Sequence, residues 1–344
     1  MILFISNCSF AEVVSRTTIG KLLRGSLLFY SILGQENVAP RPSTRCDKID
    51  YLHCFYGPYN GICVLRGLYK MGDNVEDLVL WSPATRESKV LPQIKQGRRY
   101  DSVCFHFGFE IDPNTNDYKV VRIVDFYGCQ QPQFEVYNLS TDCWRVIDRS
   151  LSKLYKIVSP RFPSYLNGFH HWKAIEICMK ARRRGWMFSE HGPTRRFIVS
   201  FDMSKEEFLE TLLPTVACVF GFIREDIAVI NDSVSLIVEY CDTGNLDINW
   251  FDIWVMSSEI GVERTWTKKF KVEGSGLDFD DRLLEIRKDG VVLLHKNDGS
   301  LAVYDRKTQE LRKFAKYANH FSESLAVTYT ETLAFMNEGG NISE

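Results

Sequence analysis

Five stretches of the sequence repeat one pattern of hydrophobic and polar positions. Each begins with an apolar run that ends in an aromatic residue, passes through a polar turn and continues into a second β-prone run. The five stretches are Leu78–Pro92, Phe134–Ile147, Phe197–Pro214, Phe251–Val272 and Leu301–Phe314. Short β-prone runs separated by Pro, Asn, Asp, Ser or Thr predict antiparallel hairpins. The pattern therefore predicts a chain built mainly from β-hairpins.

The spacing of these hairpins indicates how they are arranged. The aromatic residues that end their first runs are Trp81, Tyr137, Phe201, Trp254 and Tyr304. Their spacing is close to the length of a kelch-type propeller blade, about 50 residues. A single four-stranded sheet cannot bury both of its faces, whereas radially packed sheets can, with one aromatic side chain in each wedge. We therefore expect an all-β propeller of six or seven blades; the irregular spacing leaves a β-sandwich or barrel as the alternative.

Composition and charge narrow the classes of protein. The 344 residues are 45% hydrophobic and carry a net charge of -2, which disfavours a protein that coats nucleic acid. No run approaches the roughly 18 apolar residues of a membrane helix, and the first residues lack the positive region of a signal peptide. We expect a cytoplasmic protein, present in the nucleus as well, with no membrane partner. The ten cysteines include no C-x-x-C pair, which predicts reduced, buried thiols.

Several motifs, in a constant order, carry a resemblance to a known family. They read "GPYNGICVL", "LWSPATRESKVLP", "FGFEIDPNTNDYKVVRI", "EVYNLSTDCWR", "YLNGFHHW", "IVSFDMS" and "VYDRKTQELRKF". In this order they resemble the plant F-box-associated domain of kelch and galactose-oxidase-like shape, and most closely the S-locus F-box proteins and their relatives. Ser82 stands where the family usually has Asn. The resemblance covers about residues 50 to 335.

The resemblance implies a receptor without catalytic residues, metal or cofactor. Relatives of this kind are substrate receptors of Skp–cullin–F-box ubiquitin ligases, in which partner subunits transfer the ubiquitin. An N-terminal F-box binds the Skp adaptor, and the propeller selects the target protein. In the S-locus branch the target class is the style ribonuclease of pollen self-incompatibility.

Residues 1–50 depart from the family pattern. They contain no Leu-Pro and no Trp, so no F-box is recognisable. We expect a divergent or truncated segment over 1–50, the propeller over 51–335 and a flexible tail over 336–344. Skp and cullin are expected partners only if an F-box element is present. Otherwise the chain is a target binder without a ligase, or a degenerate product whose ring is incomplete at the N-terminal end and exposes a strand edge.

Residues with catalytic or metal-binding potential form no recognised motif. His170 and His171 are adjacent on a predicted strand, so they point to opposite faces and do not readily share a metal. Asp278, Asp280 and Asp281 could bind a cation or act as a carboxylate pair, but a solvated loop between blades is the favoured interpretation. The competing hypothesis is an enzyme on a propeller scaffold, sugar-active or a copper oxidase. It would need polar residues that converge at the propeller axis.

The segment Lys180–Phe197 is the most unusual surface candidate. Its cations outnumber its one carboxylate, Glu190, and aromatic residues lie among them. Arginine and aromatic residues are enriched where proteins bind one another. The candidate partner-binding residues are Arg182, Arg183, Arg184, Trp186, Arg195 and Arg196. A solvated loop between two strands is the simpler reading; a partner-binding loop would favour an acidic partner rather than a basic ribonuclease, and the overall charge disfavours nucleic acid.

Overall fold

All regular structure in the described part of the chain is β-structure. The computed structural model describes residues 2–6, 27–30, 51–68, 76–93, 103–126, 131–177, 179–182, 185–188, 195–216, 222–241, 249–257, 264–273, 282–287, 290–296, 300–316 and 324–328. Every regular element within these ranges is a β-strand and none is a helix, which confirms the all-β prediction. None of them contains a helix that is long and apolar enough to cross a membrane.

The strands form a series of antiparallel sheets that follow one another along the chain. Two short strands come first: β1 (Ile2–Ser6) and β2 (Leu27–Tyr30). Blade 1 then contains β3 (Tyr51–Tyr59), β4 (Ile62–Leu68), β5 (Glu76–Trp81) and β6 (Ser88–Val90). Blade 2 contains β7 (Val103–Ile111), β8 (Tyr118–Phe126), β9 (Gln133–Asn138) and β10 (Cys143–Ile147).

Blade 3 differs from the others in its innermost strand and in an insertion. The blade contains β11 (Tyr155–Val158), β12 (Tyr165–Leu166), β13 (Phe169–Glu176), and, after the insertion, β16 (Arg196–Asp202) and β17 (Glu207–Leu212). Both β11 and β12 pair with β13, at its two ends, so together they occupy the inner position. The insertion is a two-stranded ribbon of β14 (Met179–Arg182) and β15 (Gly185–Phe188).

Two further blades and one last strand complete the described chain. Blade 4 contains β18 (Phe222–Ile230), β19 (Ser233–Cys241), β20 (Asn249–Met256) and β21 (Trp266–Glu273). Blade 5 contains β22 (Arg282–Ile286), β23 (Val291–His295), β24 (Ser300–Asp305) and β25 (Glu310–Lys316). The last strand, β26 (Ser324–Thr328), joins none of the blades and pairs instead with β1.

The propeller prediction is confirmed, but the expected number of six or seven blades is wrong. The described residues build five blades. Each predicted hairpin forms the third and fourth strands of one blade, so the count of five hairpins was already the count of blades. Trp81, Tyr137, Phe201 and Tyr304 are buried as expected. Trp254 is only partly buried, because the pairing of β20 with β21 shifts register beside it.

The two ends of the described chain meet in a separate three-stranded sheet. Its strand order is β2–β1–β26, and Ile2 pairs with Thr328. Strand β26 contacts the inner strand of blade 5, β22, and the inner strand of blade 1, β3. The sheet therefore joins the last blade to the first. The predicted domain limits at residues 50 and 335 lie outside the described residues and stay predictions.

The hydrophobic core lies between successive blades. Ile62 of blade 1 packs in one cluster with Phe107 of blade 2, and Phe134 of blade 2 packs in the next with Trp172 of blade 3. Two further clusters join blade 3 to blade 4 and blade 4 to blade 5. Burying one such side chain contributes about 1.5–3 kcal/mol, so each blade is stabilised mainly by its neighbours.

Aromatic residues of the repeat also bond blades 2, 4 and 5 to the blade before each of them. The Trp144 indole donates to the carbonyl oxygen of Pro92 at 2.9 Å, which joins blade 2 to blade 1. The Trp266 indole donates to Leu212 O at 2.9 Å, and the Tyr304 hydroxyl donates to Glu273 O at 2.7 Å. The recurrence of aromatics in the sequence thus reflects both wedge packing and hydrogen bonds between blades.

The connections between strands divide the propeller into two faces. Turns of two to six residues join the first strand of a blade to the second and, except in blade 4, the third to the fourth; in blade 4 the latter connection is 257–265. We call this end of the blades the turn face. Nine non-glycine residues with positive φ lie in these turns: Asn60, Arg86, Asn116, Asp142, Asn167, Glu206, Asn231, Asp232 and Gln309. The longer connections lie at the opposite end, because antiparallel strands alternate in direction. We call that end the loop face.

The described cysteines are free thiols, but they are not uniformly buried. Cys63 is fully buried on β4, where burial raises the pKa of its thiol well above the usual value. Cys54 and Cys104 are partly buried. Cys143 is exposed, so the prediction of burial is wrong there, because this residue lies on the outer edge strand of blade 2.

Candidate functional site on the loop face

The ribbon β14–β15 extends the loop face of blade 3. It connects β13 to β16, and its register pairs Met179 with Phe188 and Arg182 with Gly185. Among the described strands, these two pair only with each other. The structure therefore places Arg182 at the end of β14 and Trp186 within β15. Arg183 and Arg184 lie outside the described residues.

The other two candidate residues, Arg195 and Arg196, have different surroundings. Arg195 is exposed at the base of the ribbon, where its guanidinium lies 5.3 Å from the centroid of the Phe197 ring. Arg196 is partly buried and forms an ion pair with Glu225 of blade 4. It also donates to Pro214 O at 3.3 Å. Arg195 thus remains available to a partner, whereas Arg196 joins two blades; a role in binding stays a prediction for both.

Further cations lie close to the base of the ribbon. The Lys153 ammonium is 5.5 Å from the centroid of the Phe197 ring and 2.8 Å from Glu176 Oε1. Lys156 is exposed on β11, between the buried residues Tyr155 and Ile157. Lys153 and Arg195 both lie against the Phe197 ring, and we call these two residues the basic patch. Lys156 pairs with Ile175, which in turn pairs with Arg196, so Lys156 lies on the opposite face of the sheet from Arg195. Sequence reasoning missed both lysines because they come well before the segment Lys180–Phe197, although the alternation around Lys156 was a usable signal.

The seam between blades 3 and 4 holds cations that are already satisfied. The Lys173 ammonium donates to the Glu225 carbonyl oxygen at 2.6 Å, and burial lowers the pKa of Lys173 despite the nearby carboxylates of Glu225 and Asp226. Arg196 pairs with the Glu225 carboxylate in the same seam. These two cations hold the blades together and are not available to a partner.

A short irregular segment, residues 159–164, lies between β11 and β12 at the inner position of blade 3. Ser159 Oγ lies 2.9 Å from His106 Nδ1 of blade 2. Arg161 binds Asp226 of blade 4 at 2.6 Å, and Pro163 O accepts a hydrogen bond from Val229 N at 3.0 Å. The segment therefore links the inner strands of three blades. It supplies a rigid support for the loop face rather than free acid or base groups.

The adjacent histidines are core residues on opposite faces of β13, as their positions on a strand predict. The His170 ring packs 4.5 Å from the Trp172 ring, and His171 Nδ1 lies 2.7 Å from Ser200 Oγ. Burial lowers the pKa of each to about 3. Within the described ranges, no three His, Cys, Asp or Glu side chains are grouped closely enough to hold a metal ion. The acidic cluster at Asp278–Asp281 lies outside those ranges.

The contact of blade 2 with blade 3 leaves no room for a side chain at Gly108. A Cβ atom there would lie 2.8 Å from the ring atoms of both His170 and Trp172. We expect Gly108→Ala to lower the free energy of unfolding by about 1–3 kcal/mol, because both rings are buried and cannot move freely. Urea unfolding of the variant beside the unmodified chain measures this. An unchanged midpoint would contradict the packing described here.

Comparison with known proteins gives a consistent picture. The profile of the F-box associated beta propeller domain matches residues 59–333. The chain is 26% identical to F-box protein CPR1 of Arabidopsis thaliana, over 84% of this chain and 70% of that protein. It is 27% identical to an Arabidopsis thaliana F-box/kelch-repeat protein, over 68% of this chain and 57% of the relative. It is 28% identical to another F-box protein of that plant, over 73% of this chain and 63% of the relative.

The family match spans four of the five blades completely and most of the first. It covers the inner segment of blade 3, the ribbon and the basic patch as well. The resemblance in the sequence motifs, the propeller of five blades and the profile match therefore agree. The chain belongs to the F-box associated beta propeller domain family.

Proposed function

We propose that this chain is the target-recognition part of a Skp–cullin–F-box ubiquitin ligase. The observation that supports the proposal is the family match over residues 59–333, together with relatives that are named F-box proteins. The chain spans 57–70% of the length of three of these relatives. Binding of a target, rather than covalent chemistry, would be its contribution, and partner subunits would transfer the ubiquitin. Such a receptor would act in the cytoplasm or the nucleus.

A second candidate function is target binding without assembly into a ligase. Residues 1–50 contain no Leu-Pro and no Trp, so these residues supply no recognisable F-box. In this case the chain would compete for targets with complete F-box relatives.

The enzyme hypothesis has less support than either form of target binding. Catalysis by acid and base groups needs carboxylates that are free to exchange protons near the axis. Asp226 lies on β18, the inner strand of blade 4, and Glu239 lies on the neighbouring strand β19. Both carboxylates are ion-paired with Arg161. These contacts suit a structural role.

The identity of the target is the finer question. The S-locus resemblance suggests a style ribonuclease as the target, with a role in pollen self-incompatibility. The basic patch and the ribbon would repel a basic ribonuclease and attract an acidic protein. We therefore favour an acidic target and keep the ribonuclease as a defined probe for binding experiments.

Co-purification with the plant Skp adaptor tests the proposed function. The full chain and the relative CPR1 are each co-expressed with the adaptor and analysed by gel filtration. We expect a stoichiometric complex of the chain with the adaptor, eluting earlier than either component. If only CPR1 forms a complex under identical conditions, the ligase role is overturned and the second candidate function takes its place.

A further inference from the structure

We propose that residues 159–164 form a strap that fastens blade 3 to the seam between blades 4 and 5, so that blades 2 to 5 open and unfold as one unit. Where structural repeats contact their immediate neighbours alone, each interface is stabilised separately, and single repeats can open. A segment that reaches past one neighbour couples repeats that share no interface. The inference goes beyond the proposed function, because it holds whether or not the chain binds a target or an adaptor.

The strap is longer than the gap that it spans. Val158 of β11 pairs with Lys173, and Tyr165 of β12 pairs with His170. Two residues of β13 therefore lie opposite the strap, which contains six. Because paired strands advance together residue by residue, six residues cannot stay beside two. The surplus residues leave the sheet of blade 3 and extend toward other blades.

Arg161 reaches the side of blade 4 that faces blade 5. Successive residues of a strand point to opposite faces of its sheet. On β18, Glu225 points toward blade 3, since its carboxylate pairs with Arg196 of that blade. The next residue, Asp226, therefore points toward blade 5. Arg161 Nε donates to Asp226 Oδ2 at 2.6 Å, and Arg161 N donates to Asp226 Oδ1 at 3.1 Å. The strap thus passes the inner edge of blade 4.

Phe162 is buried in the seam that follows blade 4. It is 7% exposed and belongs to the hydrophobic cluster that joins blade 4 to blade 5. The same cluster contains Ala228, two residues after Asp226 on the same face of β18, and Tyr304 of blade 5. The other buried members of this cluster all come from blades 4 and 5. An aromatic side chain supplied by the strap is therefore part of a core to which the sheet of blade 3 does not extend.

Hydrogen bonds hold the two ends of the strap. Ser159 Oγ lies 2.9 Å from His106 Nδ1 on the inner strand of blade 2. At the other end, Ser164 Oγ donates to His171 O at 2.8 Å within blade 3. Separation of blade 2 from blade 3, or of blade 4 from blade 5, would therefore displace the same six residues. The strap couples these two seams, although blade 2 does not adjoin blade 4 or blade 5 in the order of the blades.

Native-state hydrogen exchange of the full chain at increasing urea tests the inference. The probes are the slowest-exchanging amides of β8 in blade 2 and of β23 in blade 5, measured by mass spectrometry. Arg161→Gln/Phe162→Ala releases the strap, and Phe162→Ala alone is the milder variant, used in case the double variant does not fold. The matched control is Phe251→Ala, which removes a fully buried phenylalanine of blade 4 from the same cluster and leaves the strap unchanged. Circular dichroism and thermal melting establish that each variant is folded.

We expect the amides of β8 and β23 to exchange through one common opening in the unmodified chain, with the same dependence on urea. In the strap variants the amides of β23 should exchange about tenfold faster than those of β8, or more, because blade 5 lies beside the small sheet of β1, β2 and β26, whereas blade 2 lies between two complete blades. The control should accelerate both sets of amides equally.

Three results would overturn the inference. The first is a separate opening of β8 and β23 in the unmodified chain, since the strap would then not couple their blades. The second is a common opening in the strap variants, which would mean that contacts between adjacent blades suffice. The third is separation of the two sets of amides by Phe251→Ala to the same extent, because any loss of packing in this cluster would then have the effect.

Discussion

Replacement of Lys119 with methionine should lower the free energy of unfolding by about 3–5 kcal/mol, the cost of removing one partner from a buried ion pair. Lys119 is 4% exposed, between blades 2 and 3. Its ammonium lies 2.8 Å from Asp112 Oδ2 and 2.9 Å from Glu206 Oε1, and it donates to Met203 O at 2.6 Å. The variant would leave the buried carboxylate of Asp112 without its cation, whereas Glu206 would keep its ion pair with Arg145.

The pKa of Asp112 indicates how strongly this cation acts. Burial alone would raise that pKa, but hydrogen bonds from Lys119, Asn114 N and Ser204 hold it at about 2. Urea unfolding at neutral pH measures the loss, with the exposed neighbour Lys205→Met as control. The triple variant Lys119→Met/Asp112→Asn/Glu206→Gln should recover part of it, since no buried charge is left unpaired. If the free energy of unfolding of Lys119→Met lies within about 1 kcal/mol of that of the unmodified chain, the ion pair contributes no more than an exposed one, and this account is contradicted.

The second large effect is a maximum of stability near pH 6.5. The folded pKa values of His170 and His171 are lowered to about 3 by burial, so unfolding binds two protons below the ordinary histidine value. Stability is then lost as the pH falls. Glu110 acts in the opposite direction: burial raises its pKa to about 8, against the lowering effect of the Gly168 hydrogen bond. Its folded form keeps a proton that the unfolded chain releases, so stability is lost as the pH rises from 4.5 to 8.

These opposing titrations make a quantitative prediction. Between pH 5 and 6.5 the unfolded chain binds two histidine protons and releases one from Glu110, a net of one proton. The unfolded histidines are half protonated at pH 6.5, so the free energy of unfolding should fall by about 1 kcal/mol from pH 6.5 to 5, and by about 1 kcal/mol from pH 6.5 to 8. Urea unfolding at several pH values measures both slopes.

Glu110→Gln separates the two contributions. In the unmodified chain, Gly168 N donates a hydrogen bond to Glu110 Oε1 at 2.9 Å. The glutamine of the variant keeps an oxygen that can accept this bond, but it cannot titrate. Its loss from pH 6.5 to 5 should rise to about 3 kcal/mol, and its loss above pH 6.5 should disappear. His171→Asn, which keeps an acceptor or donor for Ser200, should reduce the acid slope instead. A pH profile that neither variant changes would show that other groups control stability.

The hairpins of this propeller were predictable because their determinants are local. The run to Tyr137, the turn and the run to Ile147 form β9 and β10 in the expected register, and the other four hairpins behave in the same way. The inner strands were not predictable from such signals. The inner position of blade 3 is divided between β11 and β12, and the segment that separates them is held by His106 and Asp226 from other blades.

The candidate site shows the same limit on a smaller scale. Sequence reasoning treated Arg195 and Arg196 as equivalent members of a basic segment. Strand alternation places them on opposite sides, and Glu225 of the next blade then pairs with Arg196 only. The position of Lys156 could not be read from the sequence either, since its pairing with Ile175, opposite Arg196, places it on the side of Arg196. Contacts between blades therefore decide which cations remain free.

The sheet formed by β1, β2 and β26 has a consequence for how the protein is made. Ile2 pairs with Thr328, so β1 leaves the ribosome long before the strand that it pairs with. At about 5–20 residues per second, this strand waits roughly 16–65 s for β26. Blades 1 to 5 can form in order during that time, but the link between blade 5 and blade 1 forms only after β26 is synthesised. Termination of synthesis before β26 would therefore remove this link as well as the residues of the strand itself.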